Sequence, residues 1–418
     1  MKKLKKVNDP IYGFITIKSE LLFSIFNHSY FQRLRRIRQL GLSELVYPGA
    51  THTRFHHALG ATHLMGEALD HLKEKGIHIN DVEYESAQIA ILLHDIGHGP
   101  FSHALEYSLI KGITHENISL QFMKMLNKEF SGQLDTAIAM FKNSYKRKFF
   151  HHLISSQLDV DRLDYLNRDS YYTGVSEGNI SVDRIISHLD VIEDEIVVEE
   201  KAIYSIENFL NARRLMYWQV YLHKTALSAE RMLVHLMSRA KEVHSLDNIS
   251  PALKYFLEND FTLEEFQENP EIVHQFSKLD DSDIWHAIKV WENNKDKVLK
   301  NLSQRILQRD LFKIKLGNEP LKKADINTLK GKIAQEFNLL NKEAAFFISH
   351  GEVTNSAYVL GGKSIKIITK KGHLMDVTQA ADLPNIKAMS KIVKKYYLCL
   401  PKNVSLSIIA TIIILYGV

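Results

Sequence analysis

Residues 89–103 read IAILLHDIGHGPFSH, and the reading of this stretch decides the fold. The apolar run Ile89, Ala90, Ile91, Leu92, Leu93 predicts a buried helix that ends in two metal-capable residues, His94 and Asp95. Gly97, Gly99 and Pro100 break the helix beyond them, while His98, Ser102 and His103 crowd the same corner. Burying an unpaired carboxylate is costly, so Asp95 needs a partner at the end of such a helix. A cation is one solution; an ordinary polar cap is the other.

Working outward, Asp159–Asp169 (DVDRLDYLNRD) is the second dense stretch. On a helix, Leu163 and Leu166 fall on one side, and Asp161, Tyr165 and Asp169 fall on another at i, i+4, i+8. That face is either a surface salt-bridge ladder or part of a site. Between the two stretches, Thr114 is a suitable N-cap and Glu116 places an acid in the first turn of a helix. Upstream, apolar spacing from Leu21 to Leu40 predicts a helix interrupted near residues 27–29. It carries Arg33, Arg35, Arg36 and Arg38, a solvated face or a holder of phosphate or a neighbouring subunit. A helix begins near Phe55 after the Pro48-Gly49 loop.

The 418 residues suit one large domain with an appendage, or two domains. A composition of 45% hydrophobic and 24% charged residues is that of a globular protein with a sizeable core. The net charge of +4 fits an anionic ligand and gives no sign of obligatory nucleic-acid binding. Cys399 is the single cysteine, which excludes intrachain disulfides and thiol-rich zinc sites and suits a reducing cytoplasm. The basic start MKKLKK lacks an apolar h-region, so a signal peptide is not expected. Residues 189–204 alternate like a small β-hairpin, and residues 205–243 read as helical. From about residue 321 the pattern becomes α+β: a helix to about Leu340, strand-like FFISH, SAYVL and KSIKIIT, a short helix over 386–395, and the strand YYLCL. Residues 406–418 (LSIIATIIILYGV) read as a buried strand, being shorter than the roughly 20 residues of a spanning helix, with a tail anchor or an atypical terminus as the alternatives; no membrane partner is expected.

His57, His94, Asp95 and Asp161 together form a nitrogen and oxygen set suited to Mg, Mn, Fe, Zn or Co with open positions. Arg54, His98, His103, His115, Arg162, Arg213 and Lys224 add cationic and proton-transfer groups, which describes phosphoester or phosphoanhydride hydrolysis.

At this point the chain resembles the HD-domain phosphohydrolases. It is most similar to the deoxynucleoside triphosphate triphosphohydrolases, the group of the vertebrate SAM- and HD-domain enzyme and of bacterial dGTPase-like proteins. The resemblance runs from about Lys5 to Lys313. It is carried by DPIYG (9–13), FQRLRRIRQLG (31–41), YPGATHTRFHHALG (47–60), HDIGHGPFSH (94–103), THE (114–116) and DVDRLDYLNRD (159–169). It implies a mainly α fold, an HD helical core with a small β-hairpin over residues 1–320, beside the smaller α+β C-terminal lobe that the pattern gives over 321–418.

The resemblance also implies roles. His57, His94, Asp95 and Asp161 would hold a divalent metal. His103, oriented by Glu106, would transfer a proton to the leaving 5′-oxygen, and His98, His115 and Glu116 would line the α-phosphate and nucleophile. Arg54, Arg162 and Arg213 would clamp the triphosphate, Arg162 standing where the family commonly has Lys. Gln39 and Asp169 would bind the sugar 3′-hydroxyl. Leu40, Tyr165 and Tyr221 would exclude a 2′-hydroxyl. Leu222 replaces a glutamine that contacts the base. Lys5, Asn27, Gln32, Arg35, Arg184, Arg309 and Lys313 match an allosteric nucleotide site at subunit contacts, with Asn27 replacing a guanine-reading acid. The implied reaction is metal-hydroxide attack on the α-phosphorus of a dNTP, in a cytoplasmic dimer or tetramer activated by nucleotide. Two other readings are open: an HD phosphodiesterase or nuclease, and a non-catalytic nucleotide or nucleic-acid binding module.

Overall fold

The computed structural model describes residues 5–101, 104–105, 109–110, 112–355, 358, 364–382 and 393–404. Strands β1 (Lys5–Asp9) and β2 (Gly13–Ile17) form an antiparallel hairpin. Its turn is built by Asp9, whose Oδ1 accepts the N–H groups of Ile11 and Tyr12 at 3.0 and 3.1 Å. Helix α1 (Glu20–Asn27) follows, and then the mainly helical body.

Four helices position the centre: α2 (Arg54–Glu74), α3 (Asp81–Leu93), α4 (His115–Glu129) and α5 (Val160–Thr173). Each has a local reason to start. In α3, Asn80 and Glu83 form a reciprocal capping box, with Glu83 N donating to Asn80 Oδ1 at 2.9 Å. Thr114 caps α4 as expected, and Asp159 caps α5 by accepting Arg162 N at 2.8 Å. Gly174, at φ +74°, ends α5 in the left-handed conformation that favours glycine. Ala90, Ile91 and Leu93 of α3 and Leu166 of α5 are fully buried among Ala61, Met65 and Leu69 of α2 and their neighbours. Burying each large side chain contributes about 1.5–3 kcal/mol.

The hairpin expected over 189–204 is β3 (Leu189–Ile192) and β4 (Glu195–Glu199). The helix expected over 205–243 is present in two pieces, α6 (Ile203–Met216) and α7 (Lys224–Glu242). A wider π-turn at Tyr217–Tyr221 separates them. Downstream come α8 (Asp281–Trp291) and α9 (Lys323–Glu336), with β5 (Lys313–Gly317) between them. The remaining strands are β6 (Ser349–Asn355), β7 (Lys366–Ile368), β8 (Leu374–Asp376) and β9 (Val393–Leu400). They complete two sheets that begin earlier in the chain, ordered β3-β4-β7-β8 and β5-β9-β6. β4 pairs with β7 in parallel (Val197 opposite Lys366), and β5 pairs with β9 antiparallel (Ile314 opposite Cys399).

Several expectations are corrected. The helical run from Leu21 stops at a 3-10 turn over Arg33–Arg36, because Ile37 is extended and Arg38 bridges to Thr53. Arg54 N donates to Ile37 O, and Gln39 N donates to His52 O, both at 3.0 Å. The arginines do not share one solvated face, since Arg35 and Arg36 are exposed and Arg33 is not. Arg33 is wholly buried, and Arg36 pairs with Asp280. The first two residues of FFISH belong to a 3-10 turn over Ala345–Phe347, and the strand starts at Ser349. Residues 393–395, expected to be helical, begin β9. Most of SAYVL, residues 386–392 and the apolar 406–418 lie outside the described residues. Among the described residues, no helix is long and apolar enough to cross a membrane.

Candidate metal centre and nucleotide site

The site is assembled where the starts of α2 and α5 meet the end of α3. α2 contributes His57, the end of α3 contributes His94 and Asp95, and the first turn of α5 contributes Asp161. Asp161 Oδ1 lies 3.1 Å from His57 Nε2 and 3.5 Å from His94 Nε2. The far nitrogens of both imidazoles are committed: His57 Nδ1 donates to Asp164 Oδ2 at 2.8 Å, and His94 Nδ1 donates to Ile91 O at 2.6 Å. In its neutral form each ring therefore presents an Nε2 lone pair to the centre, and neither Nε2 has a hydrogen-bond partner among the described residues.

The electrostatics favour a positive charge between these groups. Burial opposes protonation of His57, but Asp161 and Asp164 outweigh it and hold its pKa at about 10. Burial likewise works against ionised Asp161, yet His57 and His94 hold its carboxyl far below the usual range. A metal ion supplies that charge without a proton, so His57, His94 and Asp161 fit a divalent cation. Asp95 stands beside them, with Oδ1 3.4 Å from His94 Nε2 and Oδ2 3.9 Å from His57 Nε2. It also pairs with Arg54 and, at 3.4 Å, with His98. Asp95, His98 and His115 form a second metal-capable trio.

Behind the ligands lies a buried ionic frame. Arg168 donates to Asp164 through Nε and Nη2, both at 2.9 Å, and to Asp9 Oδ2 through Nη1 at 2.9 Å. Asp164 in turn holds His57, so the β1–β2 turn and α5 jointly orient a metal ligand. Gly60 leaves room for this frame, since a Cβ there would run into the Asp164 carboxylate and the Arg168 guanidinium. Arg33 performs the same service for the loop after α3. It donates to Ile96 O at 2.7 Å, His98 O at 2.9 Å and Leu279 O at 3.0 Å. Asp281, opening α8, accepts the N–H groups of Phe101 and Arg38 at 2.8 Å each.

The remaining expected site residues are placed as follows. His98 and His115 stack with centroids 3.8 Å apart, and His115 lies 3.4 Å from Glu116. Burial, and then the neighbouring Arg54, push His98 well below its ordinary pKa, so it is neutral. Arg162 pairs with Asp159. Tyr165 and Tyr221 meet edge to face at 6.0 Å, and Tyr221 Oη donates to Asp169 Oδ2 at 2.9 Å. Asp169 is 1% exposed, which rules out the surface-ladder reading of that face. Arg213 is buried, and its Nε and Nη1, like Gln39 Oε1 and Arg162 Nε, have no hydrogen-bond partner among the described residues. Leu40 is partly buried against the core. His103 and Glu106 lie outside the described residues.

The seven residues matched to an allosteric site fall into groups. Gln32 accepts Arg35 Nε at 2.7 Å, Asn27 donates to Phe23 O at 2.9 Å, and Lys5 sits over the Phe23 ring. Arg309 and Lys313 line one groove with Lys402, and Arg184 donates to Lys201 O at 3.1 Å. Residues that the sequence reading did not assign are Asp9, Arg33, His52, Asp164, Arg168 and Asp281. For Asp164 and Arg168, the i, i+4 acid–base spacing was the available signal.

Comparison with known proteins agrees with this geometry. Residues 54–193 match the HD domain model, and residues 180–252 match the model of an HD associated region. The crystal structure of a phosphohydrolase from Bacteroides thetaiotaomicron superposes with a TM-score of 0.92 at 52% identity, covering 95% of this chain and 100% of that one. Uncharacterized protein YwfO of Bacillus subtilis is 35% identical over 319 residues, 74% of this chain and 71% of that protein. The human deoxynucleoside triphosphate triphosphohydrolase SAMHD1 is 27% identical over 380 residues, 79% of this chain and 59% of that protein.

Proposed function

Because the chain belongs to the HD-domain phosphohydrolase family, we propose that its substrate is a dNTP, cleaved to deoxynucleoside and inorganic triphosphate. The observation that carries this reading is that six of the buried polar atoms without partners among the described residues belong to the site: the Nε2 atoms of His57 and His94, Nε and Nη1 of Arg213, Nε of Arg162, and Oε1 of Gln39. Buried polar groups are ordinarily satisfied. This set asks for a cation, an anionic group and a hydrogen-bond donor together, which a metal–nucleoside triphosphate supplies. The similarity to SAMHD1 supports the same choice.

A divalent cation at His57, His94 and Asp161, with Asp95 alongside, would neutralise phosphate charge and activate water. The chain's own groups do the rest. Arg213 binds phosphoryl oxygens through its unpartnered N–H groups, and Arg54 and Arg162 add charge from positions tethered by Asp95 and Asp159. Neutral His98, stacked on His115, holds a proton beside the α-phosphate. His103 is assigned proton delivery to the 5′-oxygen. Tyr165 and Tyr221 wall off the 2′ position, while Gln39 and Asp169 read the 3′-hydroxyl. Residues 1–320 are assigned this chemistry and 321–418 the smaller lobe, whose strands β7 and β9 join sheets begun by β4 and β5. Lys5, Asn27, Gln32, Arg35, Arg184, Arg309 and Lys313 hold an activating nucleotide between copies of a homo-oligomer.

The test is turnover of each dNTP and of GTP with Mg or Mn, singly and in mixtures. Deoxynucleoside with intact triphosphate is expected from dNTPs and not from GTP. Turnover confined to mixtures would add nucleotide activation. Orthophosphate or pyrophosphate as the only inorganic product would overturn the reading.

A further inference from the structure

We propose that His52 is a positioning residue that fixes both groups assigned to the sugar 3′-hydroxyl, and that sugar discrimination depends on its imidazole. The proposal rests on the dNTP reading above. His52 lies in the loop before α2, and its side chain is fully buried. Its Nε2 is 2.7 Å from Asp169 Oδ1. A carboxylate only accepts, so Nε2 carries the proton and donates. The unpartnered Nδ1 is then a lone pair rather than a stranded N–H.

The other Asp169 oxygen takes Tyr221 Oη at 2.9 Å, so the carboxylate is gripped from both sides and cannot rotate. The His52 ring is itself held flat against Tyr172, with centroids 4.5 Å apart and planes inclined by 19°. Through its backbone carbonyl the same residue accepts Gln39 N at 3.0 Å. One residue thus sets the spacing between Gln39, next to the Arg38–Thr53 bridge, and Asp169, on the last turns of α5. Each Asp169 oxygen retains a second lone pair, which leaves the carboxylate able to accept from a sugar hydroxyl. Precise placement of such a group governs how much of its binding energy is realised.

The experiment compares kcat/KM for a dNTP and for the matching 2′,3′-dideoxynucleotide, in wild type and in three variants whose folding is checked by thermal melts. Wild type should prefer the 3′-hydroxyl substrate by about tenfold or more, the worth of one hydrogen bond to a charged group. His52→Asn, whose amide reaches only the Nδ1 position, and His52→Leu, which keeps bulk alone, should each lose most of that preference, chiefly through a higher KM for the dNTP. His52→Gln places an N–H where Nε2 stands and should retain the preference within about threefold. If the variants slow both substrates alike and keep the ratio, His52 is merely structural and the proposal fails. It also fails if Gln is no better than Asn, or if wild type does not discriminate. Absence of dNTP turnover in wild type would instead defeat the underlying functional reading, before any variant is compared.

Discussion

Replacing Asp161 by asparagine is expected to cut turnover at least about a thousandfold and to strip the protein of stoichiometric metal. The substitution keeps size and removes the negative charge that stands 3.1 and 3.5 Å from the two Nε2 lone pairs. Lewis-acid stabilisation by a metal is worth several kcal/mol, and each ~1.4 kcal/mol is a factor of ten in rate. Elemental analysis and kcat should fall together, while the thermal melt stays cooperative, because the α5 packing through Leu163 and Leu166 is untouched. Retention of both metal and turnover by Asp161→Asn would remove the centre from the mechanism.

The second large effect lies one layer back. Arg168→Met should destabilise the fold by about 3–5 kcal/mol, because removing one partner leaves buried charge uncompensated. Two carboxylates, Asp164 and Asp9, would lose their guanidinium in a region closed to solvent. Since Asp164 orients His57 through Nδ1, metal affinity should drop as well. Arg168→Lys should fall between, as an ammonium keeps the charge but loses the fork that spans both acids. Urea midpoints and metal titration check this. A midpoint shift worth less than about 1 kcal/mol would show that the frame is solvated and energetically minor.

These two residues also mark what could be read from the chain. The end of an apolar helix at His94-Asp95 and the i, i+4, i+8 face of Asp161, Tyr165 and Asp169 are local patterns, and the structure brings both to one place. Arg33 looked like one cation in a basic row. Its true partners are carbonyls of Ile96, His98 and Leu279, the last 246 residues away, and no local period encodes them. The same holds for residues 37–39, where the chain leaves the helix. Helical spacing runs through them, but hydrogen bonds to His52 and from Arg54 win over that propensity. His52 was hidden for a different reason: its ring acts through Asp169, 117 residues on, and its carbonyl acts as any residue's would. In the C-terminal part, strands were recognisable. Their partners were not, because β7 and β9 complete sheets begun by β4 and β5.

Under the proposed dNTP reading, water attacks the α-phosphorus. Hydrolysis of dGTP in ¹⁸O-labelled water, with mass analysis of the products, tests it most directly. One label is expected in inorganic triphosphate and none in deoxyguanosine, because the 5′-oxygen leaves with the nucleoside. Label in orthophosphate released beside dGDP would place the attack at the γ-phosphorus. Label in the deoxyguanosine would place it at carbon, and either result would contradict the mechanism.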